Sequence, residues 1–337
     1  FLLLNADVVF DVDFHRFVQF HKEKGGMVTL FTHPNSHPYD SGLIIADENG
    51  RVKRWLAKEE ERPKYYKNLV NAGLHIINPV VLDMVDVGNI CGRKTEVISE
   101  KIDLDRQILK PLVQTGQVFC YKSPEYVKDM GTPDRLQAVE KDFLTGRIRA
   151  KNLRNKQRAI FLDRDGTINI YKGFLRNIHD FELIQGIGSA IRTINEQGYL
   201  VLVVTNQPVI ARGELSKEEL EEIHNQMETE LGKEGAYLDG IYVCPHHPDK
   251  GYEGEVAELK FDCACRKPKP GMLLRAAKDF NINLEESWMV GDSESDIKAG
   301  RAAGCRTALV GGEDYGQDVT VVSVADFVEH FVKESFV

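Results

Sequence analysis

Asp163 and Asp165 stand two residues apart in Asp163-Arg-Asp165-Gly166-Thr167, directly after the apolar run Ala159–Leu162. A second acidic stretch, Gly291-Asp292-Ser-Glu-Ser-Asp296, follows the apolar run Ser287–Val290. If both runs are strands of one sheet, their carboxylates meet at one edge and repel one another unless a cation joins them. Hard oxygen donors of this kind suit Mg²⁺. Thr205-Asn206-Gln207, after a third apolar run, offers short polar donors for phosphate oxygens, and Arg266-Lys267-Pro-Lys-Pro270 brings cations ahead of a helix. An anion site beside Mg²⁺ is the electrostatic arrangement that phosphoryl transfer requires. The spacing implies that one carboxylate attacks phosphorus to give an aspartyl-phosphate, while the other protonates the leaving oxygen and then activates water. A lone Asp-x-Asp-Gly-Thr loop reads equally as a capped turn. Four such elements in order at strand ends have no reason to arise from unrelated turns.

A second cluster has the chemistry of a soft metal site. Cys244-Pro-His246-His247-Pro and Cys263-Ala-Cys265 form two short clamps that supply three thiols and an imidazole. Tetrahedral Zn²⁺ takes four N/S ligands from such clamps, and with Cys244, His246, Cys263 and Cys265 all bound no position is left for water, so the site is structural. His247 is the alternative ligand, and free thiols beside an unrelated histidine are the bland reading.

These loops need a scaffold, and the pattern around them supplies one. From Ala159 onward, apolar strands (159–162, 200–205, 240–243, 287–290, 306–310) alternate with helical segments (188–197, 217–231, 272–280, 296–303, 324–332). Ser216 followed by Glu219 marks a capping-box start for the longest helix. Near-continuous apolar strands alternating with helices imply a doubly wound parallel α/β sheet, with ligands at the carboxyl ends of its strands. The first half reads as a second α/β layer, with strands near 27–32, 42–46, 52–56, 69–77 and 117–121 and helices near 14–22, 103–112 and 132–144. The expected division is a first domain over 1–146, a basic and almost core-free linker over 147–157, and a second domain over 158–337.

A chain of 337 residues with 42% hydrophobic and 28% charged side chains fits two ordinary globular domains. No apolar run approaches the length of a membrane span. The net charge of −9 and the absence of a long Lys/Arg run argue against nucleic acid as a partner. Six cysteines, three of them between Cys244 and Cys265, fit a metal site in a reducing compartment, with the cytoplasm as the default. The chain opens on Phe1-Leu-Leu-Leu-Asn-Ala-Asp7 without an initiator methionine, which reads as the middle of a fold whose upstream residues are missing.

In their order, Phe161-Leu-Asp163-Arg-Asp165-Gly-Thr167, Val204-Thr205-Asn206, Lys267 and Gly291-Asp292-Ser-Glu-Ser-Asp296 resemble the four motifs of haloacid dehalogenase-like phosphatases. The resemblance implies that Asp163 is the nucleophile and Asp165 the general acid/base. It implies that Asp163, Asp292 and the Asp165 carbonyl hold Mg²⁺ with support from Asp296, and that Thr205 and Lys267 hold the phosphoryl group. Asp-Arg-Asp-Gly-Thr-Ile-Asn169, Ile210-Ala-Arg212-Gly213, Cys-Pro-His-His-Pro248 and Cys-x-Cys-Arg-Lys-Pro-x-Pro-Gly271 narrow the likeness. Over about Arg158 to Gly312 the chain resembles the D-glycero-D-manno-heptose 1,7-bisphosphate phosphatases, close kin of histidinol-phosphatase. By that likeness Arg212 and Arg266 meet the distal groups of the substrate, with Asn169 and Asn206 as further polar contacts. Pro208-Val209 departs from the usual Ser-Gly of that family.

In the first half, Leu-Leu-Leu-Asn-Ala-Asp7, Asn68-Leu-Val-Asn71-Ala-Gly73 and Lys128-Asp129-Met-Gly-Thr-Pro133 together resemble sugar-1-phosphate nucleotidyltransferases. The likeness assigns Mg²⁺ to Asp7 and Asp129, the sugar to Asn71 and Gly73, and phosphate to Lys58, although Leu-Ala-Lys58-Glu and Asn-Ala-Asp7 depart from the usual motifs. The glycine-rich loop that grips the triphosphate in that family lies upstream of Phe1. A complete protein with it would take a nucleoside triphosphate and activate the heptose 1-phosphate that a 7-phosphatase releases. The alternatives are a phosphatase of histidinol phosphate or another small monoester with a degenerate first domain, and a non-catalytic scaffold that only binds sugar phosphates.

Overall fold

In the computed structural model, which describes residues 1–84 and 103–332, the chain divides into two α/β units. The second is built on a sheet of six parallel strands: β9 (Ala159–Leu162), β10 (Leu200–Asn206), β11 (Gly240–Cys244), β12 (Trp288–Gly291), β13 (Arg306–Val310) and β14 (Val319–Val321). Their spatial order is β11-β10-β9-β12-β13-β14. Side chains alternate between the two faces of a strand, and both faces are covered here. Ile160 and Leu162 of β9 enter one core with Val201, Val203 and Val290, whereas Ala159 and Phe161 enter a second with Leu202, Val204 and Met289. That double burial is why these strands read as unbroken apolar runs.

Helices Ile187–Glu196, Lys217–Lys233, Gly271–Phe280 and Glu294–Ala303 cover the sheet. Ser216 caps the longest of them, its side chain accepting from Glu219 N while Glu219 reaches back to Ser216 N, the capping box expected from the spacing.

The first unit carries a mixed sheet in which β1 (Leu2–Leu4), β4 (Leu43–Ala46) and β5 (Val52–Leu56) join β3 (Val28–His33), β6 (Val70–Ile77) and β7 (Val118–Lys122). Among the described residues only β3 and β7 pair in parallel in this sheet. A separate antiparallel ribbon pairs β2 (Val8–Asp11) with β8 (Tyr126–Asp129). The single helix expected over 103–112 is instead a π-helical segment Leu104–Leu109 followed by a 3₁₀ segment Pro111–Thr115. Pro111 has no N–H to donate, so the first winding cannot pass through it.

The boundaries differ from the expected ones in two ways. Residues 147–157 are not a core-free linker. Arg147–Ala150 is helical, Ile148 packs with Tyr126 and Val139, and Leu153 is buried. Two apolar residues among many basic ones give no core pattern in the sequence, and some of those cations have partners in the fold, as Arg147 has in Asp142. Residues 34–39 and 62–68 also belong to the second unit: Tyr66 N donates to Thr229 Oγ1 at 2.8 Å and Asn68 N to Glu228 Oε2, both on helix Lys217–Lys233.

Candidate active site

In the second unit the strand order reverses beside β9, where crossovers lead to β10 on one side and β12 on the other, and this opens a crevice at the carboxyl ends. Asp163 and Asp165 follow β9, Thr205 and Asn206 close β10, and Asp292 follows β12. The turn after β9 needs Gly166 (φ +83°), because a Cβ there would lie 1.9 Å from Asp292 Oδ2.

Lys267 is buried between two carboxylates, its Nζ 2.8 Å from Asp163 Oδ1 and 2.6 Å from Asp296 Oδ1. Asp296 also caps its own helix, accepting from Ser293 N at 3.1 Å and Ser293 Oγ at 2.7 Å. One oxygen of each of Asp163, Asp292 and Asp296 lies within 4.8 Å of the others. Burial pushes the Asp163 carboxyl up to about 7 against the pull of Lys267. Burial, with Asp296 adding to it, pushes Asp292 up to about 6. One lysine does not offset three carboxylates, and the hard oxygen donors left over suit a divalent cation such as Mg²⁺.

A pH dependence follows from those shifts. A carboxyl whose folded pKa is raised binds more protons folded than unfolded, so its contribution to stability is present at low pH and lost as pH rises toward 6 and 7. A cation that takes the ionised form recovers that loss. Mg²⁺ is therefore expected to raise the melting temperature of this unit clearly at pH 8 and little at pH 5, in thermal scans with and without the ion. An equal shift at both pH values contradicts this.

Asp165 is held differently. It accepts from Arg164 Nη2 at 2.9 and 2.8 Å, from Gln207 Nε2 at 2.8 Å and from Asn169 Nδ2 at 3.1 Å. Gln207 Nε2 also lies 2.9 Å from Thr205 Oγ1, so Thr205 and Asp165 share one donor.

One expected substrate contact is corrected here, and the other has a partner within the chain. Asn169 is fully buried, with its amide nitrogen on Asp165 and on Ile170 O. Asn206 engages both ends of its amide with the backbone of Lys267, donating to its O at 3.0 Å and accepting from its N at 3.1 Å. Asn169 therefore shapes the site from behind, and the half-buried Asn206 fixes the backbone of Lys267. Arg164 was not singled out from sequence, although it lies inside a motif that was, and Gln207, expected as a donor to phosphate oxygens, donates to Asp165 and Thr205.

Beside this crevice Arg212 is sandwiched between the rings of Phe174 and Tyr252, 4.5 Å from each centroid. Arg266 Nη1 donates to His246 O at 3.3 Å. Cys244, His246, Cys263 and Cys265 converge, with Sγ–Sγ separations of 3.5, 3.4 and 3.2 Å and His246 Nδ1 at 3.3 Å from Cys265 Sγ. Ligands of a tetrahedral zinc stand about 3.8 Å apart at Zn–S bonds of ~2.3 Å, so a small movement would admit the ion. His247 points elsewhere, its Nδ1 accepting from Asp249 N in its own turn.

In the first unit, Asp7, just before β2, and Asp129, the last residue of β8, meet at one end of the ribbon, where Met130 N donates to Asp7 O. A Cβ on Gly131 would lie 2.9 Å from Asp129 Oδ1 and 3.9 Å from Asp7 Oδ2. Asp129 is ion-paired with Arg135. Asn71 donates to Asp105 at 3.1 Å, and Gly73 (φ +74°) lies against the Asn5 side chain. Lys58, beyond the edge strand β5, is exposed and ion-paired with Asp40.

Two family models match: nucleotidyl transferase over residues 1–146, and HAD-hydrolase-like over residues 264–331. The chain is 44% identical over 155 residues to D-glycero-beta-D-manno-heptose-1,7-bisphosphate 7-phosphatase of Haemophilus ducreyi, covering 46% of this chain and 82% of that protein. It is 47% identical over 146 residues to the protein of that name from Haemophilus influenzae, covering 43% and 77%. With the Escherichia coli K12 protein it shares 44% over 152 residues, covering 45% and 78%. A crystal structure of D,D-heptose 1,7-bisphosphate phosphatase from B. bronchiseptica, complexed with magnesium and phosphate, is 31% identical with a TM-score of 0.46, covering 53% of this chain and 99% of that one. Among the described residues no helix is long and apolar enough to cross a membrane.

Proposed function

The chain belongs, through its second unit, to the D-glycero-beta-D-manno-heptose-1,7-bisphosphate 7-phosphatase family, and we propose that it hydrolyses the 7-phosphate of that heptose bisphosphate. One observation carries the reading: Asp163 and Asp165 stand with Lys267 and Asp292 at the switch point of the sheet, in a chain that spans 82% of such a phosphatase at 44% identity.

Asp163 attacks phosphorus as the bond to the C7 oxygen breaks, and Asp165 gives that oxygen its proton. Asp165 then takes a proton from water, the water attacks the aspartyl-phosphate, and inorganic phosphate leaves with Asp163 restored. Lys267 and Thr205 hold the phosphoryl oxygens, and Arg212 and Arg266 face the distal 1-phosphate and sugar hydroxyls. Asp163, Asp292 and the Asp165 carbonyl, with Asp296 behind them, would hold Mg²⁺, which would neutralise phosphoryl charge. The aromatic sandwich around Arg212 supports its part, since it fixes a fork of donors in one plane.

The four soft ligands form a structural Zn²⁺ site, whose thiols need a reducing compartment, the cytoplasm in this reading. Metal analysis is expected to find close to one zinc per chain. Cys265→Ser is expected to lose most of it and to melt several degrees lower, because binding of the ion is coupled to folding of its loop. A variant that keeps its zinc and its melting temperature removes Cys265 from the ligand set.

The first unit supports a role in the consecutive step: with Asp7 and Asp129 placed to hold Mg²⁺, Asn71 and Gly73 at the sugar and Lys58 at phosphate, it serves transfer of a nucleotide from a nucleoside triphosphate to heptose 1-phosphate. The decisive assay is phosphate release with Mg²⁺ from both anomers of D-glycero-D-manno-heptose 1,7-bisphosphate, beside histidinol phosphate. Release from the heptose supports the proposal. Release from histidinol phosphate alone moves the chain to the alternative monoester.

A further inference from the structure

Arg164 heads the largest fully buried side chains among the described residues, an unusual place for a permanent cation. Its donors point at Asp165, which takes Nε at 3.2 Å and Nη2 at 2.9 Å on Oδ1, and Nη2 again at 2.8 Å on Oδ2, the arrangement of the carboxylate that remains once Asp165 has given up its proton. The remaining terminal nitrogen, Nη1, lies 3.3 Å from Nε2 of His224, a buried residue of helix Lys217–Lys233 sixty positions along the chain. A guanidinium has donors only, so Nε2 must accept, and the imidazole is neutral with its proton on Nδ1. Burial and the charge of Arg164 hold His224 well below the usual histidine range, in agreement with that tautomer.

We propose that His224 is a positioning residue for the proton-donating carboxyl of Asp165, acting through Arg164. The inference rests on the phosphatase reading, in which Asp165 protonates the leaving oxygen. A planar fork gripped at both ends cannot rotate, so neutral His224 on Nη1 fixes the plane in which Arg164 holds the Asp165 carboxyl. Without the acceptor, Nη1 is a buried donor with nothing to meet, and the guanidinium turns to find one. Gln207 and Asn169 still reach Asp165, but neither sets the plane of the fork.

The leaving group separates positioning from mere support of the fold. As the Asp163–phosphorus bond forms, the electron pair of the breaking P–O bond goes to the leaving oxygen. A sugar alkoxide needs the proton of Asp165 at that moment, whereas p-nitrophenolate leaves without one. The quantity to measure is kcat/KM with Mg²⁺ for wild type, His224→Leu and His224→Gln, on heptose 1,7-bisphosphate and on p-nitrophenyl phosphate. His224→Leu is expected to lose about 10- to 100-fold on the heptose ester and less than about threefold on the aryl ester. His224→Gln, whose Oε1 can accept from Nη1, is expected to recover most of the loss. Equal losses on both esters, or none on the heptose ester, overturn the proposal. If His224→Leu does not fold, Arg164→Lys, which keeps the charge and loses the fork, is expected to show the same split, and an even loss from it is equally fatal. A wild-type protein that cleaves neither ester overturns the phosphatase reading itself, and the proposal with it.

Discussion

Asp163→Asn is expected to lower phosphate release from heptose bisphosphate by at least about 10³-fold, because an amide oxygen is a far weaker nucleophile than a carboxylate and no second nucleophile replaces it. The substitution keeps the shape of the side chain, so Lys267 retains Asp296 and the site stays assembled. Asp163 is costly when ionised, since burial raises its carboxyl to about 7. The variant is therefore expected to melt no lower than wild type at pH 8 without Mg²⁺. Full stability with lost turnover identifies a chemical defect. Turnover within tenfold of wild type would remove Asp163 from the role of nucleophile. The scaffold alternative, in which the site only binds, makes the opposite prediction of no change in the residual activity.

Lys267→Met is expected to damage both stability and activity. The substitution preserves most of the stem and removes the ammonium that stands between Asp163 and Asp296. Removing one partner of a buried ion pair leaves an uncompensated charge and costs about 3–5 kcal/mol. For a unit of this size that is a fall of roughly 10 °C in melting temperature. The loss must depend on pH in a definite sense. The orphaned carboxylates are harmful when ionised, so the fall is expected to be largest at pH 8 and to shrink toward pH 5, where protonation relieves them. Loss of the phosphoryl-facing cation is expected to lower kcat/KM by about 10²-fold or more. A melting temperature independent of the substitution at pH 8 would show that the two carboxylates do not need Lys267.

The chemistry of the second unit was legible because each of its parts is local. A strand buried on both faces is a short apolar run, and the loop at its carboxyl end follows at once in the chain, so Asp163, Thr205 and Asp292 each announce their position. The clamps Cys244/His246 and Cys263/Cys265 are local in the same way. Even the choice of His246 over His247 depended on only one turn of backbone, since the Nδ1 of His247 faces Asp249 N. In the first unit the signals were weaker: Asp7 and Asp129 lie far apart in sequence and meet only at one end of the β2–β8 ribbon, whose four-residue strands carry no clear period.

What sequence could not supply is the set of side chains that act across the fold. Asn169 and Asn206 looked like substrate contacts because a polar residue beside a motif has no visible partner. Packing gives Asn206 the backbone of Lys267 and Asn169 the carboxyl of Asp165. The basic stretch after Thr145 looked like solvent-facing chain, and only the buried positions of Ile148 and Leu153 make it part of the structure. Residues 34–39 and 62–68 lie well inside the expected first domain, yet they belong to the second unit, where the amides of Tyr66 and Asn68 are met by Thr229 and Glu228.

By itself, then, the sequence determined the layered parallel sheet, the carboxylate centre at its edge and the soft-ligand clamps. Each depends on residue type and on spacings of a few positions, which the chain carries in any conformation. Only the tertiary structure decided that Lys267 is shared between Asp163 and Asp296, and that a neutral His224 stands behind Arg164. Such partners are chosen by which buried donors and acceptors remain unmet once the helices have packed, and that is a property of the whole core.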